Sequence, residues 1–233
     1  MTCFAGCDAG EVLRELGRIA ISGHFAPPLL RQAARAANIE RLWAEALSVP
    51  GTLGERYLAS RHLLPMPGDV RFHPRCPHGP KPHTVFKPAL LVAVREGQRL
   101  VALQRIFLDP ETAVYTQKAT LGALGGGAWR GGGIGRSLGL AEGFETARAW
   151  TLLNQLPCWA TLGSRRFGLA AIPDSVTELI LAADNDLAGR RAVRRAAACY
   201  AREDRLIRAD IPVGAKDWAE LLAARERGER RGG

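Results

Sequence analysis

The C-terminal half of the chain alternates short apolar runs with amphipathic segments, and this alternation is the strongest constraint on its fold. The pattern predicts strands at 138–141, 158–161, 178–183 and 206–211, and helices at 144–154, 188–202 and 217–225. Strands separated by helices at this spacing are typical of a mostly parallel sheet with helices on both faces. We therefore predict an α/β fold for this part of the chain.

The N-terminal half has a different pattern and predicts a smaller α+β region. Apolar residues recur at helical spacing from Ile39 to Leu47, and Thr52 to Glu55 has the spacing of a capping box that begins a second helix. Repeated prolines between Pro65 and Pro88 predict an irregular connection, and residues 89–95 and 100–108 predict a hairpin. A glycine-rich segment, residues 122–135, separates this region from the C-terminal half.

Acidic residues follow three of the predicted strands. Glu142 follows the first strand, Asp184 and Asp186 follow the third, and Asp217 follows the last. Open α/β sheets bind ligands at the carboxyl ends of their strands, so these side chains are candidates for one site. Converging carboxylates repel one another unless a cation lies between them, and oxygen ligands favour Mg²⁺ or Mn²⁺. The alternative is that each acid only caps the helix after it.

The chain is strongly basic, with a formal net charge of +9. Clustered lysine and arginine side chains gain free energy by displacing counterions from phosphates, so the charge favours a polyanionic partner. Arg190 begins a helix just after the aspartates and could reach a phosphate there. A solvated basic surface without a partner is the alternative.

Several classes of protein are disfavoured by the sequence. The start has no basic segment followed by an apolar core, and no run approaches the length of about eighteen apolar residues that spans a bilayer. These two features predict a cytoplasmic protein without membrane association. The five cysteines are scattered, and we expect them to be reduced. The segment around Gly135 lacks the lysine of a phosphate-binding loop, so ATP hydrolysis is not predicted.

Residues 137–222 resemble a Toprim domain, the catalytic module of bacterial-type primases, topoisomerases and certain nucleases. Glu142 matches the glutamate motif, Asp184 and Asp186 match the DxD motif, and Asp217 matches the later acidic position. The resemblance implies that Glu142, Asp184 and Asp186 are catalytic, and that these three and Asp217 hold Mg²⁺ or Mn²⁺. Glu220 departs from the family pattern, which has an aspartate there, so the role of the Asp217 region stays open.

The region from Ile39 to His73 resembles the segment that precedes Toprim in primase-like proteins of plasmids, phages and integrated elements. Arg105 in the hairpin and Lys118 before the glycine-rich segment are similar in order to basic residues of the primase core that hold template and nucleotide phosphates. Both could equally be solvated strand residues. The resemblance implies a primase-like N-terminal α+β region at 25–135, a Toprim domain at 136–227 and a flexible tail at 228–233.

Residues 1–24 resemble a remnant of the zinc ribbon and helix that begin such primases. Cys3 and Cys7 are similar to its second ligand pair, but a structural zinc site needs four ligands, so no zinc is expected. A second set of possible zinc ligands lies among prolines, and the prolines predict a loop instead of a zinc site. These residues are His73, Cys76, His78 and His83.

Together these features predict a primase-like protein that performs Mg²⁺-dependent nucleotidyl transfer on single-stranded DNA, using nucleoside triphosphates, in mobile-element or phage-type replication. A separate replicative helicase is a possible further partner. Two alternatives remain open. One is a Toprim nuclease that cleaves DNA phosphodiesters, and the other is a non-catalytic remnant that only binds single-stranded DNA.

Overall fold

The computed structural model describes residues 29–80 and 82–229, which contain two four-stranded sheets and five α-helices. The elements of the first half are α1 (Leu29–Glu45), α2 (Leu53–Ser60), β1 (Val70–His78), β2 (Val85–Glu96), β3 (Arg99–Leu108) and β4 (Tyr115–Gly122). Those of the second half are β5 (Ser137–Ala141), α3 (Phe144–Asn154), β6 (Cys158–Ala160), a 3₁₀ turn (Ser164–Arg166), β7 (Glu178–Ala182), α4 (Leu187–Tyr200), β8 (Leu206–Asp210) and α5 (Trp218–Glu229).

The first sheet is antiparallel, in the order β1-β2-β3-β4, and its central pair is the predicted hairpin. Side chains alternate between its two faces, as strand geometry requires. Leu91 and Leu103 pack with Ile39 and Leu42 of α1 on one face. Residues of the opposite face, among them Ile106, pack with α2 and with the C-terminal half.

The prediction of an irregular connection between Pro65 and Pro88 is wrong, because this segment supplies all of β1 and the start of β2. β1 lies at the edge of the sheet, where a proline does not interrupt hydrogen bonds to a second neighbour. The pairing also shifts register between His73 and Cys76, so Pro74 lies at a bulge. β4 was not predicted, since most of its residues are exposed and it lacks a marked apolar alternation.

The second sheet is fully parallel, in the order β6-β5-β7-β8, with helices on both faces as predicted. α3 and α5 cover one face, where Trp150 and Leu222 pack with Ala141 and Ile180. α4 covers the other face. The chain runs from β5 outward to β6 and then returns past β5 to β7. The direction of winding therefore reverses between β5 and β7, the position at which open α/β sheets form their ligand crevice.

The glycine-rich segment joins the two sheets, although the sequence predicted a separator. Ala128 exchanges backbone hydrogen bonds of 2.9 and 3.1 Å with Arg95 of β2. Trp129 forms the same kind of pair with Ala160 of β6, at 2.9 and 3.1 Å. The Trp129 side chain is fully buried and donates to the Gly68 carbonyl at 3.0 Å. One hydrophobic cluster consequently continues from the first sheet into the second.

The C-terminal helix is longer than predicted. α5 runs to Glu229, so the first two residues of the predicted flexible tail are helical, and residues 230–233 lie outside the described part. The predicted zinc-ribbon remnant at 1–24 also lies outside it. No helix in the described part is both long and apolar enough to cross a membrane.

Candidate active site

Glu142 and Asp184 face one cavity between the two sheets. Glu142 follows β5 directly, and Asp184 follows β7 by two residues, so both lie at the crevice where the winding reverses. The cavity measures about 380 Å³. Its opposite wall consists of residues from the N-terminal half, which are Arg61, Gln104, Tyr115 and Lys118. The crevice is therefore built from both halves of the chain.

Both carboxylates are partly buried and lie near other acids. Burial, followed by the charges of Asp217 and Asp186, raises the pKa of Asp184 above its usual range. Burial, followed by the charges of Asp184 and Asp186, raises the pKa of Glu142. The Oδ1 atom of Asp184 is buried and has no hydrogen-bond partner among the described residues. An unpartnered buried carboxylate oxygen beside like charges is a suitable ligand for a divalent cation.

The other two acids of the predicted metal set act as helix caps here. Asp186 Oδ1 accepts a 2.7 Å hydrogen bond from the Gly189 amide at the start of α4. Asp217 Oδ1 accepts a 2.8 Å bond from the Glu220 amide at the start of α5. Glu220, which departs from the family pattern, accepts from the Lys216 amide at 2.7 Å. The structure thus brings Glu142 and Asp184 together, with Asp186 and Asp217 beside them in capping roles.

The acids of this site do not form a three-ligand metal centre in the described structure. In the described residues, no group of three His, Cys, Asp or Glu side chains is arranged to hold a metal ion as it stands. Carboxylates repel one another when no cation is present, and a bound cation would offset that repulsion and attract them. Glu142 and Asp184 would supply the first ligands, and Asp186 or Asp217 could join them by leaving its cap.

Gly189 explains how the sequence positions Asp184. A Cβ atom at Gly189 would lie 2.3 Å from the Asp184 carbonyl oxygen, well inside contact distance. α4 therefore packs directly against the backbone that carries Asp184. A glycine three residues after Asp186 is required by this close approach.

Lys118 and Gln104 project into the cavity from neighbouring strands of the first sheet. Lys118 Nζ lies 2.7 Å from the Glu145 carboxylate on α3, and its side chain is 36% exposed. Gln104 Oε1 is buried and has no hydrogen-bond partner among the described residues, so it is available to a ligand. The structure therefore places Lys118, predicted as a phosphate-binding residue, at the carboxylate cavity.

Arg105 and Arg190 are not brought into this cavity. Arg105 follows Gln104 on β3 and points to the other face of the sheet, where it donates to the Pro77 carbonyl at 2.7 Å. Arg190 donates to Asn185 Oδ1 at 2.9 Å. It lies on an exposed basic surface at the start of α4, together with Arg191, Arg194 and Arg195. Arg195 is close enough to Glu142 to oppose the rise in its pKa.

Glu145 and Tyr57 are site residues that the sequence did not single out. Glu145 is 7% exposed and accepts hydrogen bonds from the Tyr57 hydroxyl and from Lys118. Burial alone would raise the pKa of Glu145, but the Lys118 charge and these hydrogen bonds hold it below its usual range. The only sequence signal was its place three residues after Glu142, where an acid at a helix start is unremarkable.

Three of the possible further zinc ligands, His73, Cys76 and His78, lie on β1, and His83 lies between β1 and β2. His73 Nδ1 accepts a 3.2 Å hydrogen bond from the Arg75 amide, and Cys76 is fully buried in the core. The His78 ring packs on Phe107 with a centroid distance of 4.8 Å. Cys76, Cys158 and Cys199 are free thiols. Cys3 and Cys7 lie outside the described residues.

Two family models match the chain, and the boundary between them lies between the two sheets. Residues 137–228 match the family model of the Toprim domain. Residues 33–131 match a domain of unknown function, DUF7146. No curated protein sequence matches the chain.

The fold is similar to that of solved primases. The catalytic core of DnaG has a TM-score of 0.60 and 16% identity, over 84% of this chain and 78% of that chain. The DnaG primase catalytic domain bound to single-stranded DNA has a TM-score of 0.58 and 16% identity, over 87% and 81%. The chain spans 62% of the primase fragment of the bacteriophage T7 primase-helicase, with 62% of this chain covered, 18% identity and a TM-score of 0.45.

Proposed function

We propose that this chain, in which a Toprim domain follows an antiparallel sheet as in primase catalytic cores, performs Mg²⁺-dependent nucleotidyl transfer on single-stranded DNA. The observation that carries the proposal is the pair Glu142 and Asp184. Both have a raised pKa, and both face a cavity between the sheets that is lined on its far side by Lys118. A site for a cation beside a fixed ammonium group suits a substrate with several phosphates.

Glu142 and Asp184 would hold the divalent cation, and the unpartnered Oδ1 of Asp184 is the strongest support for this assignment. Such a cation supplies positive charge to phosphate oxygens as negative charge shifts during transfer. Mg²⁺ usually binds through one or two carboxylates and keeps several waters. The two acids that this structure brings together are therefore sufficient to begin a site.

Other side chains of the cavity would bind and orient the substrate. The Lys118 ammonium has three donors, of which one is directed at Glu145 and the others can reach a phosphate in the cavity. Gln104 Oε1 can accept a hydrogen bond from a sugar hydroxyl or a base amino group. The protein would contribute little covalent chemistry, since phosphoryl transfer depends mainly on positioning and charge.

Single-stranded DNA is the proposed template, and nucleoside triphosphates are the proposed second substrate. The net charge of +9 supports binding to a polyanion, and the DnaG domain of similar fold was solved with single-stranded DNA. The exposed arginines of α4, including Arg190, are the proposed contacts to phosphates outside the cavity. We place this activity in the cytosol, in phage-type or mobile-element replication, with a helicase as a separate partner.

Primer synthesis tests this proposal. The purified chain is incubated with single-stranded DNA, nucleoside triphosphates and Mg²⁺, and products are resolved on a denaturing gel. We expect primers from the wild type and none from Asp184→Asn. Asp174→Asn is the matched control, because Asp174 is an exposed aspartate paired with Arg202 far from the crevice. DNA cleavage without synthesis would favour a nuclease, and DNA binding without either would indicate a non-catalytic remnant.

A further inference from the structure

We propose that Glu145 is a positioning residue, a fixed counter-ion that keeps the Lys118 ammonium against the cavity wall and away from Glu142 and Asp184. The inference rests on the proposed metal site and assigns a role to a buried acid outside the metal set. It predicts that Glu145 determines how readily the cavity accepts a divalent cation.

Three elements of the fold meet at Glu145. Its carboxylate, on α3, lies 2.7 Å from Lys118 Nζ of β4 and accepts from the Tyr57 hydroxyl of α2. The Glu145 side chain is only 10% exposed, whereas that of Lys118 is 36% exposed. The Tyr115 ring lies 5.1 Å from Lys118 Nζ on another side. The ammonium is therefore paired with a carboxylate that solvent hardly reaches, while Lys118 itself lines the cavity.

Without Glu145, the cavity would offer Lys118 a competing partner. Glu142 and Asp184 line the same space, where burial, followed by the charges of neighbouring acids, raises the pKa of each. A lysine side chain is long and flexible, so a released ammonium would be drawn toward these carboxylates. It would then neutralise the oxygens that a divalent cation needs. Glu145 prevents this, because its ion pair with Lys118 holds the ammonium away from these carboxylates.

The charge count is consistent with this role. Glu145 and Lys118 cancel each other, so the net charge of the cavity is set by the other acids together with Arg61. Glu145 stays ionised because its pKa is held below the usual range. The Tyr57 hydroxyl uses a further lone pair of the carboxylate without adding charge. This arrangement keeps an anion-binding group and a cation-binding group side by side in one cavity.

Mn²⁺ binding to the full-length, metal-free chain tests the inference, measured by titration calorimetry or by the paramagnetic resonance signal of free Mn²⁺. Glu145→Gln keeps the shape and loses the charge, so we expect Mn²⁺ to bind about tenfold more weakly as Lys118 competes. Adding Lys118→Met removes the competitor, and the double variant should regain the wild-type affinity. Glu96→Gln is the control, because Glu96 also pairs with a basic residue, Arg99 at 3.1 Å, but does not line the cavity.

The outcomes separate this inference from the proposed function. Equal Mn²⁺ affinity in wild type and Glu145→Gln would overturn the inference and leave the metal site intact. A double variant as weak as Glu145→Gln would also overturn it, since Lys118 would not be the competitor. A wild-type chain that binds no Mn²⁺ would overturn the metal site and the inference with it.

Circular dichroism monitors the folding of each variant. If Glu145→Gln does not fold, Glu145→Asp replaces it, because the shorter carboxylate keeps the charge but loosens its hold on Lys118. Weaker Mn²⁺ binding by this variant supports the inference, and wild-type affinity overturns it.

Discussion

Replacing Gly189 by alanine should destabilise the protein and weaken its metal site together. Glycine to alanine inside a helix normally stabilises by about 0.5–1 kcal/mol, because the unfolded chain loses conformational freedom. At Gly189 the added Cβ would lie 2.3 Å from the Asp184 carbonyl oxygen and 3.2 Å from the Asp184 backbone nitrogen. Overpacking of this kind costs about 1–3 kcal/mol, and a backbone neighbour places it toward the upper end.

The net effect is a loss of about 2 kcal/mol, which lowers Tm by about 4–8 °C for a chain of this size. Thermal unfolding followed by circular dichroism measures the loss, and Mn²⁺ titration measures the displacement of Asp184 as weaker binding. Gly228→Ala is the matched control, because Gly228 lies on α5 and a Cβ added there would meet no atom within 4 Å. It should leave Tm unchanged or raise it slightly. If Gly189→Ala matched wild type in both Tm and Mn²⁺ affinity, the packing argument for Asp184 would be refuted.

Other predictions address the charges of the site and the surface. Asp184→Asn and Glu142→Gln should each abolish primer synthesis yet leave the metal-free fold as stable or more stable, because each removes a repelling charge. The stability advantage of Asp184→Asn over wild type should be largest near neutral pH. It should shrink as pH falls through the raised pKa of Asp184, because the wild-type carboxyl then gains its proton. A difference in Tm that stays constant with pH would contradict this. Affinity for single-stranded DNA should fall steeply between about 50 and 200 mM salt with little dependence on sequence, and a flat response in a filter-binding assay would contradict the phosphate-contact account. Cys3→Ser with Cys7→Ser should be silent in folding and in extension of a pre-annealed primer, whereas stoichiometric zinc by mass spectrometry that the double variant loses would refute this expectation.

The parallel sheet and the pair Glu142 and Asp184 could be predicted because their signals are local. An acid follows each of the apolar strands β5 and β7, and parallel strands place their carboxyl ends at one edge, so sequence order alone gives the location. β1 was missed because clustered prolines usually indicate a loop, and only the order of strands reveals that β1 is at the edge. β4 was missed because neither of its faces is deeply buried.

The basic residues illustrate a limit of sequence patterns. Arg105 and Lys118 have the same predicted role in the sequence, the binding of phosphates. Strand pairing nevertheless puts them on opposite faces of one sheet. A shift of one residue in register would exchange the faces, and the sequence does not show which face the C-terminal half covers. The contact between Tyr57 and Glu145 joins residues 88 positions apart, so no local pattern could indicate it.

The central claim is that Glu142 and Asp184 form a divalent-cation site. Crystals soaked in Mn²⁺ and measured above the manganese absorption edge test it most directly. We predict an anomalous difference peak between the two carboxylates, within ligand distance of Asp184 Oδ1, that is absent from crystals of Asp184→Asn. An empty crevice, or a peak only at another place on the protein, would contradict the account.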